Sequence, residues 1–282
     1  MSMDVISEHA CFGGVQRFCK HLSAETGLPM KLSVYLPPQA LKGGKVPALL
    51  YLAGLTCTEE TFAIKAGAQR VASELGLALV TPDTSPRGTD FPGQADSWDF
   101  GIGAGFYLDA MQEPWKQNWR MGSYVTKELP KLIATNYPVD ATRLGLFGHS
   151  MGGHGALTLG LKNPDLFKSV SAFAPIANPI NCPWGEKAFT GYLGSDRKAW
   201  ATHDASELMK LKAHPQHILV DQGEADQFLG TQLHPHALEA AAKVSGQKLV
   251  LRRHEGYDHG YYFISTFVED HLRHHKKILA SA

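Results

Sequence analysis

The chain has 282 residues, 44% hydrophobic and 19% charged, so it is neither a disordered polymer nor too short to bury a sizeable core. Lys plus Arg and Asp plus Glu are equal at 27 each, with no basic tract or basic–aromatic stripe, which disfavours nucleic acid or an anionic membrane and favours a small-molecule partner. The most hydrophobic run, 46–55, is half of the ~20 residues that span a bilayer, and the N-terminus carries Asp4 and Glu8 without a basic n-region, so a cytoplasmic chain with no membrane partner and with Cys11, Cys19, Cys57 and Cys182 reduced is expected.

In chain order, 16–22 and 30–36 read as the strands of a hairpin, turned at Thr26-Gly27 and ended by Pro37-Pro38. Six short apolar runs follow, at 46–52, 77–81, 143–147, 169–174, 217–221 and 248–253. They are continuously apolar rather than alternating, as central parallel strands covered on both faces are. Amphipathic patterns at 60–75, 121–136, 151–162, 231–244 and 261–274 lie between them as helices, with Pro130 kinking the second. Strand–helix alternation implies a mostly parallel sheet flanked by helices. Two antiparallel strands and then six more make eight, the count and order of an α/β-hydrolase sheet. The expected organisation is a single domain over 1–282, with loop insertions near 83–119 and 178–196 lying over the C-terminal strand ends, where ligands bind. His271, His274 and His275 have no ligand spacing and read as a solvated helix end, so neither metal nor cofactor is expected.

The strongest chemical signal is Gly148-His149-Ser150-Met151-Gly152, a G-x-S-x-G directly after an apolar run and before a helical pattern. A sharp strand-to-helix turn presents the serine hydroxyl above the sheet, and only glycine at 148 and 152 leaves room for it. The helix start also aims free N–H groups at the site, making the Met151 N–H an oxyanion donor. Without strand and helix on either side, the pattern would be a plain glycine-rich turn. A serine needs a base, and in this fold the acid and then the histidine follow in chain order. After 217–221 three carboxylates compete: Asp221, which can cap the turn, Glu224, which reads as solvent-facing, and Asp226, which spacing favours. After 248–253 the candidates are His254 at the strand end and His259 beside Gly260, with position favouring His259. The second oxyanion donor belongs on the loop after the third strand, where Gly54 frees the backbone and Leu55 is the chosen N–H. Gly101-Ile102-Gly103-Ala104-Gly105 lacks the spacing and the preceding strand of a dinucleotide fingerprint.

Several long blocks carry a resemblance: Tyr51-Leu52-Ala53-Gly54-Leu55-Thr56-Cys57-Thr58, Pro82-Asp83-Thr84-Ser85-Pro86-Arg87-Gly88, Asp96-Ser97-Trp98-Asp99-Phe100-Gly101, the elbow through Ala156, Ala225-Asp226-Gln227-Phe228-Leu229 and Gly256-Tyr257-Asp258-His259-Gly260-Tyr261-Tyr262-Phe263. They are similar to the S-formylglutathione hydrolases, the esterase D family, and span nearly the whole chain. The resemblance implies hydrolysis of S-formylglutathione to glutathione and formate, closing glutathione-dependent formaldehyde detoxification, with activity on small esters. It implies Ser150, Asp226 and His259 as the triad, which decides among the carboxylates, with Leu55 and Met151 as oxyanion donors. It sets Cys57 near the pocket, and it implies a homodimer as the assembly. Trp98, Phe106 and Tyr107 are candidate walls of the small acyl pocket, with a place in the core as the other reading. A general carboxylesterase or acyltransferase shares the same triad. A catalytically dead fold acting as a binding module would usually lack one of its members.

Overall fold

The computed structural model describes residues 2–281. Among the described residues nine strands form one sheet: β1 Asp4–Cys11, β2 Gly14–Leu22, β3 Pro29–Leu36, β4 Val46–Leu52, β5 Ala78–Pro82, β6 Val139–His149, β7 Phe167–Phe173, β8 Ile218–Gly223 and β9 Leu249–His254. Their spatial order is β1-β2-β3-β5-β4-β6-β7-β8-β9. The first three strands and β5 pair antiparallel, and from β5 onward every pair is parallel. The α/β architecture is the expected one, but the sheet has nine strands instead of eight. The extra strand is β1, whose side chains are mostly exposed, so its sequence carries no apolar alternation. Its pairing is backbone hydrogen bonding to β2, with a register shift between Val5 and Ser7.

Burial explains the apolar runs. All seven residues of β4 are buried because helices cover both sheet faces, and each such leucine contributes roughly 1.5–3 kcal/mol. The helix expected over 60–75 is two helices, Glu59–Lys65 and Gln69–Leu75, parted at Gly67, whose φ of +66° breaks the repeat. Over 121–136 the disturbance lies just ahead of Pro130: a π-helical turn at Tyr124–Glu128 precedes the helix Leu129–Asn136, and the proline sits in that helix's first turn, where its missing N–H is harmless.

The long segment 83–119 is mostly irregular, with only a 3₁₀ turn at Trp115–Gln117, and it packs its own aromatic cluster. Trp115 meets Phe91, Phe100 and Trp119 at centroid distances of 5.0, 4.8 and 4.8 Å. The region 178–196, expected to be irregular, holds the helix Pro183–Leu193, with Pro183 at the tolerated first position. Its Tyr192 hydroxyl accepts from Gly101 N and donates to Ala104 O, fastening the two segments together.

The late histidines correct the reading of a solvated helix end. The helix Tyr261–Leu279 packs on β7, and His271, His274 and His275 are buried there. His275 bonds Ser169 and Ser171 through its two ring nitrogens, at 2.6 and 2.9 Å. His271 bridges Ser171 at 2.8 Å and Asp221 at 3.2 Å. Asp221 also takes both ends of the Arg252 guanidinium at 2.6 Å each. Burial alone would raise the Asp221 carboxyl, but the His271 and Arg252 hydrogen bonds outweigh it and hold it well below the usual carboxylate range.

These buried rings make acid the weakness of the fold. Burial lowers His154 and His274 to about 3 and pushes His149 and His275 well below the ordinary histidine value. Below about pH 6.5 the unfolded chain therefore binds protons that the folded chain refuses, and stability falls as pH falls. Each ring still neutral at pH 5 forfeits about 2 kcal/mol there. Urea unfolding at pH 7.5 and pH 5 should show a loss of up to about 8 kcal/mol on acidification, and an unchanged midpoint would contradict it.

Candidate active site

The parallel core delivers its strand ends to one edge, and the site is built there. β6 ends at His149, Ser150 takes φ 57° and ψ −118°, and the helix Met151–Lys162 starts at once. A serine in this region is strained, and three backbone bonds hold it: Ser150 N donates to Phe173 O, and Ser150 O accepts from His154 N and Ile176 N. The glycines are sterically required. A Cβ on Gly152 would lie 1.9 Å from Leu52 O, and one on Gly148 would lie 2.3 Å from Gly152 O.

Loops after β8 and β9 bring the acid and the ring together. Backbone bonds Glu224 N to His254 O and Ala225 N to Tyr257 O lace the two loops. Asp226 Oδ2 lies 2.5 Å from His259 Nδ1. The Asp226 carboxylate also accepts from Phe228 N at 2.8 Å and from Gln222 Nε2 at 3.3 Å, and its side chain is shut off from solvent. The rivals lie elsewhere. Asp221 is engaged by Arg252 and His271, and Glu224 is exposed. His254 faces Asp221 at 3.3 Å and stacks on Phe267.

The loop after β4 closes the other side. Among the described residues, neither the Leu55 N–H nor the Met151 N–H donates to a protein acceptor. The loop is tied at three points: Tyr107 Oη donates to Ala53 O at 2.9 Å, Thr56 N to Gly103 O at 2.9 Å, and Thr84 Oγ1 to Cys57 O at 2.6 Å. Thr56 has φ +68°, and a Cβ on Gly103 would meet its Cα at 3.2 Å, so the close crossing of these segments depends on that glycine. A Cβ on Gly54 would come within 3.3 Å of Ser150 Cβ, so the loop backbone lies against the serine.

Ser150 and His259 line one cavity of about 130 Å³, together with Gly54, Leu55, Cys57, Trp98, His149, Trp184, Phe228 and Tyr261. Trp98 comes from 83–119 and Trp184 from 178–196, and their rings meet edge to face at 5.7 Å. Phe106 and Tyr107 do not line it. Both are fully buried, Phe106 beside His154 and Phe189, and Tyr107 in the tie to Ala53. Cys57 is half-buried, and burial raises its thiol above the usual range, the opposite of an activated thiolate.

Sequence reasoning missed His149, Trp184, Phe228 and Tyr261. Three of these stand within two residues of a motif position, which was the available signal. Trp184 is distant from every motif, and its signal was its place as an aromatic in the insertion 178–196, expected over the strand ends. His149 is buried with both ring nitrogens unpartnered, and its ring centre is 4.4 Å from that of His259. Burial first, and the neighbouring His259 second, keep it neutral, so it adds no charge beside that ring. Among the described residues, no three His, Cys, Asp or Glu are grouped to hold a metal ion, and no helix is long and apolar enough to cross a membrane.

A buried carboxylate bonded to an imidazole, a strained serine in the same cavity and two free N–H groups beside it are the parts that acyl transfer requires. The comparisons with known proteins agree in kind. The Esterase family model matches residues 23–274. S-formylglutathione hydrolase of Rattus norvegicus is 55% identical over 281 residues, with 99% of each chain covered. The Arabidopsis thaliana protein of that name is 57% identical over 270 residues, 95% of each. The solved structure of an S-formylglutathione hydrolase from Agrobacterium tumefaciens superposes with a TM-score of 0.95 at 49% identity, covering 98% of this chain and 99% of that one. A ferulic acid esterase at 18% identity and a TM-score of 0.73, covering 95% of this chain and all of that one, shares the fold alone.

Proposed function

This chain belongs to the S-formylglutathione hydrolase family of esterases, and from that premise we propose that it hydrolyses S-formylglutathione to glutathione and formate through Ser150, His259 and Asp226. The observation that carries the assignment is the 2.5 Å contact between Asp226 Oδ2 and Nδ1 of a ring lining the Ser150 cavity. A proton held on Nδ1 by the carboxylate leaves Nε2 as the base. Nε2 takes the Ser150 proton as Oγ attacks the formyl carbon, and Asp226 stabilises the imidazolium. The developing oxyanion is received by the Leu55 and Met151 N–H groups. The C–S bond breaks, the sulfur leaves with the proton from Nε2 as glutathione thiol, and a formyl-serine remains. Water, deprotonated by the same nitrogen, attacks that ester, and formate and free Ser150 result.

The cavity supports a small acyl group. At about 130 Å³ it is well below the ~300 Å³ at which drug-sized pockets begin. Activity on small esters belongs to the same reading. We extend it to one catalytic unit over 1–282, acting as a cytoplasmic homodimer in formaldehyde detoxification and needing no cofactor. The test keeps the leaving group and lengthens the acyl chain. The kcat/KM for S-formylglutathione should exceed that for S-butyrylglutathione by about 10²-fold or more, since each misfitting methylene costs 10-fold upward. Equal values would make the protein a general carboxylesterase.

A further inference from the structure

S-formylglutathione carries its charge far from its reactive carbon: two carboxylates and one ammonium sit on the tripeptide, leaving a net charge of −1. A cavity of about 130 Å³ holds the formyl group and the thioester, so the tripeptide must lie across the rim. The cations on the segments that supply the cavity walls differ in availability. Lys187, bonded to Ser97 and Asp99 on either side of Trp98, is already neutralised by the Asp99 carboxylate. Arg87 grips Asp83 through two nitrogens at 2.7 and 3.0 Å and lines a different cavity. Lys65 is exposed and, among the described residues, has no carboxylate within ion-pair distance. Its Nζ stands 5.9 Å from the ring centre of Tyr261, a wall of the cavity.

Lys65 is also held on a firm support. It is the last residue of the helix Glu59–Lys65, which begins directly after the Gly54–Cys57 turn and is fixed there by a reciprocal Thr58–Thr61 capping box. A seven-residue helix carries its last residue about 9 Å from its first, at 1.5 Å per residue, a span comparable to the tripeptide. We propose that Lys65, above the Tyr261 ring, is the anionic subsite that takes a carboxylate of the glutathionyl group. The inference rests on S-formylglutathione being the substrate.

A cation at a helix C-terminus also serves the helix dipole, so the test must read selectivity and not activity alone. The measured quantity is the ratio of kcat/KM on S-formylglutathione to kcat/KM on 4-nitrophenyl acetate, an uncharged ester. Lys65→Met should lower the ratio about fivefold and Lys65→Glu about 25-fold, mainly through KM for the charged substrate, as expected for one exposed charge pair lost and then reversed. Lys65→Arg keeps the charge and should keep the ratio within about twofold. Added salt should lower the wild-type ratio and leave that of Lys65→Met flat. A wild-type preference that survives in Lys65→Glu, or equal losses on both substrates, overturns the subsite. A wild-type enzyme indifferent between the two substrates overturns the reading of function itself, and the two failures are distinguishable.

Discussion

Ser150→Ala should lower kcat/KM on S-formylglutathione by about 10⁴-fold or more while leaving the fold intact. The variant loses one oxygen and nothing that supports the backbone. Alanine at φ 57° is strained as serine is, and the bonds from Ser150 N and to Ser150 O are main-chain bonds that survive. The stability change should stay within about 0.5 kcal/mol, because no packing group or partner is removed. On the proposed mechanism, residual catalysis by the Leu55 and Met151 N–H groups and by substrate binding sets the floor. Steady-state kinetics on the purified variant measures the loss, and intact mass after fluorophosphonate treatment should show no adduct. Near-full activity in Ser150→Ala would end the assignment of the nucleophile.

Asp226→Asn should cost a comparable ~10⁴-fold in kcat with little change in shape. The carboxylate accepts from Phe228 N, from Gln222 Nε2 and from the His259 ring, and it has no donor of its own when ionised. An amide nitrogen facing Nδ1 would force the ring to accept there and to carry its proton on Nε2. That tautomer cannot take the Ser150 proton. Asp221→Asn is the informative partner, because Asp221 is bound to Arg252 and His271 away from the cavity. Its variant should unfold at lower urea while retaining most of its turnover. The opposite pattern, with turnover lost in Asp221→Asn and kept in Asp226→Asn, would move the acid to the other carboxylate.

Local steric demands explain what was readable in one dimension. The elbow is legible because two glycines and a serine sit between an apolar run and a helical pattern, and a Cβ at 152 would fall 1.9 Å from Leu52 O. The parallel strands are legible because burial on both faces leaves continuous apolar runs, as in β4. The helix break at Gly67 was missed because φ +66° leaves no trace in the hydrophobic period. β1 was missed because its pairing is carried by backbone, which every residue has.

The sequence by itself determined the α/β class, the position of the strained elbow serine Ser150 and the loops that bear Asp226 and His259, because each depends on neighbours close in the chain. Only the tertiary structure decided which carboxylate meets which ring. Asp221 and Asp226 stand five residues apart on one strand and turn, and their difference lies in what approaches from residues 252 to 271. It also decided that Trp98 borders the cavity while Phe106 and Tyr107 belong to the core, and that His271 and His275 are buried bonding groups. Burial and hydrogen bonding are set by segments 31 to 104 residues away, and no local pattern records them.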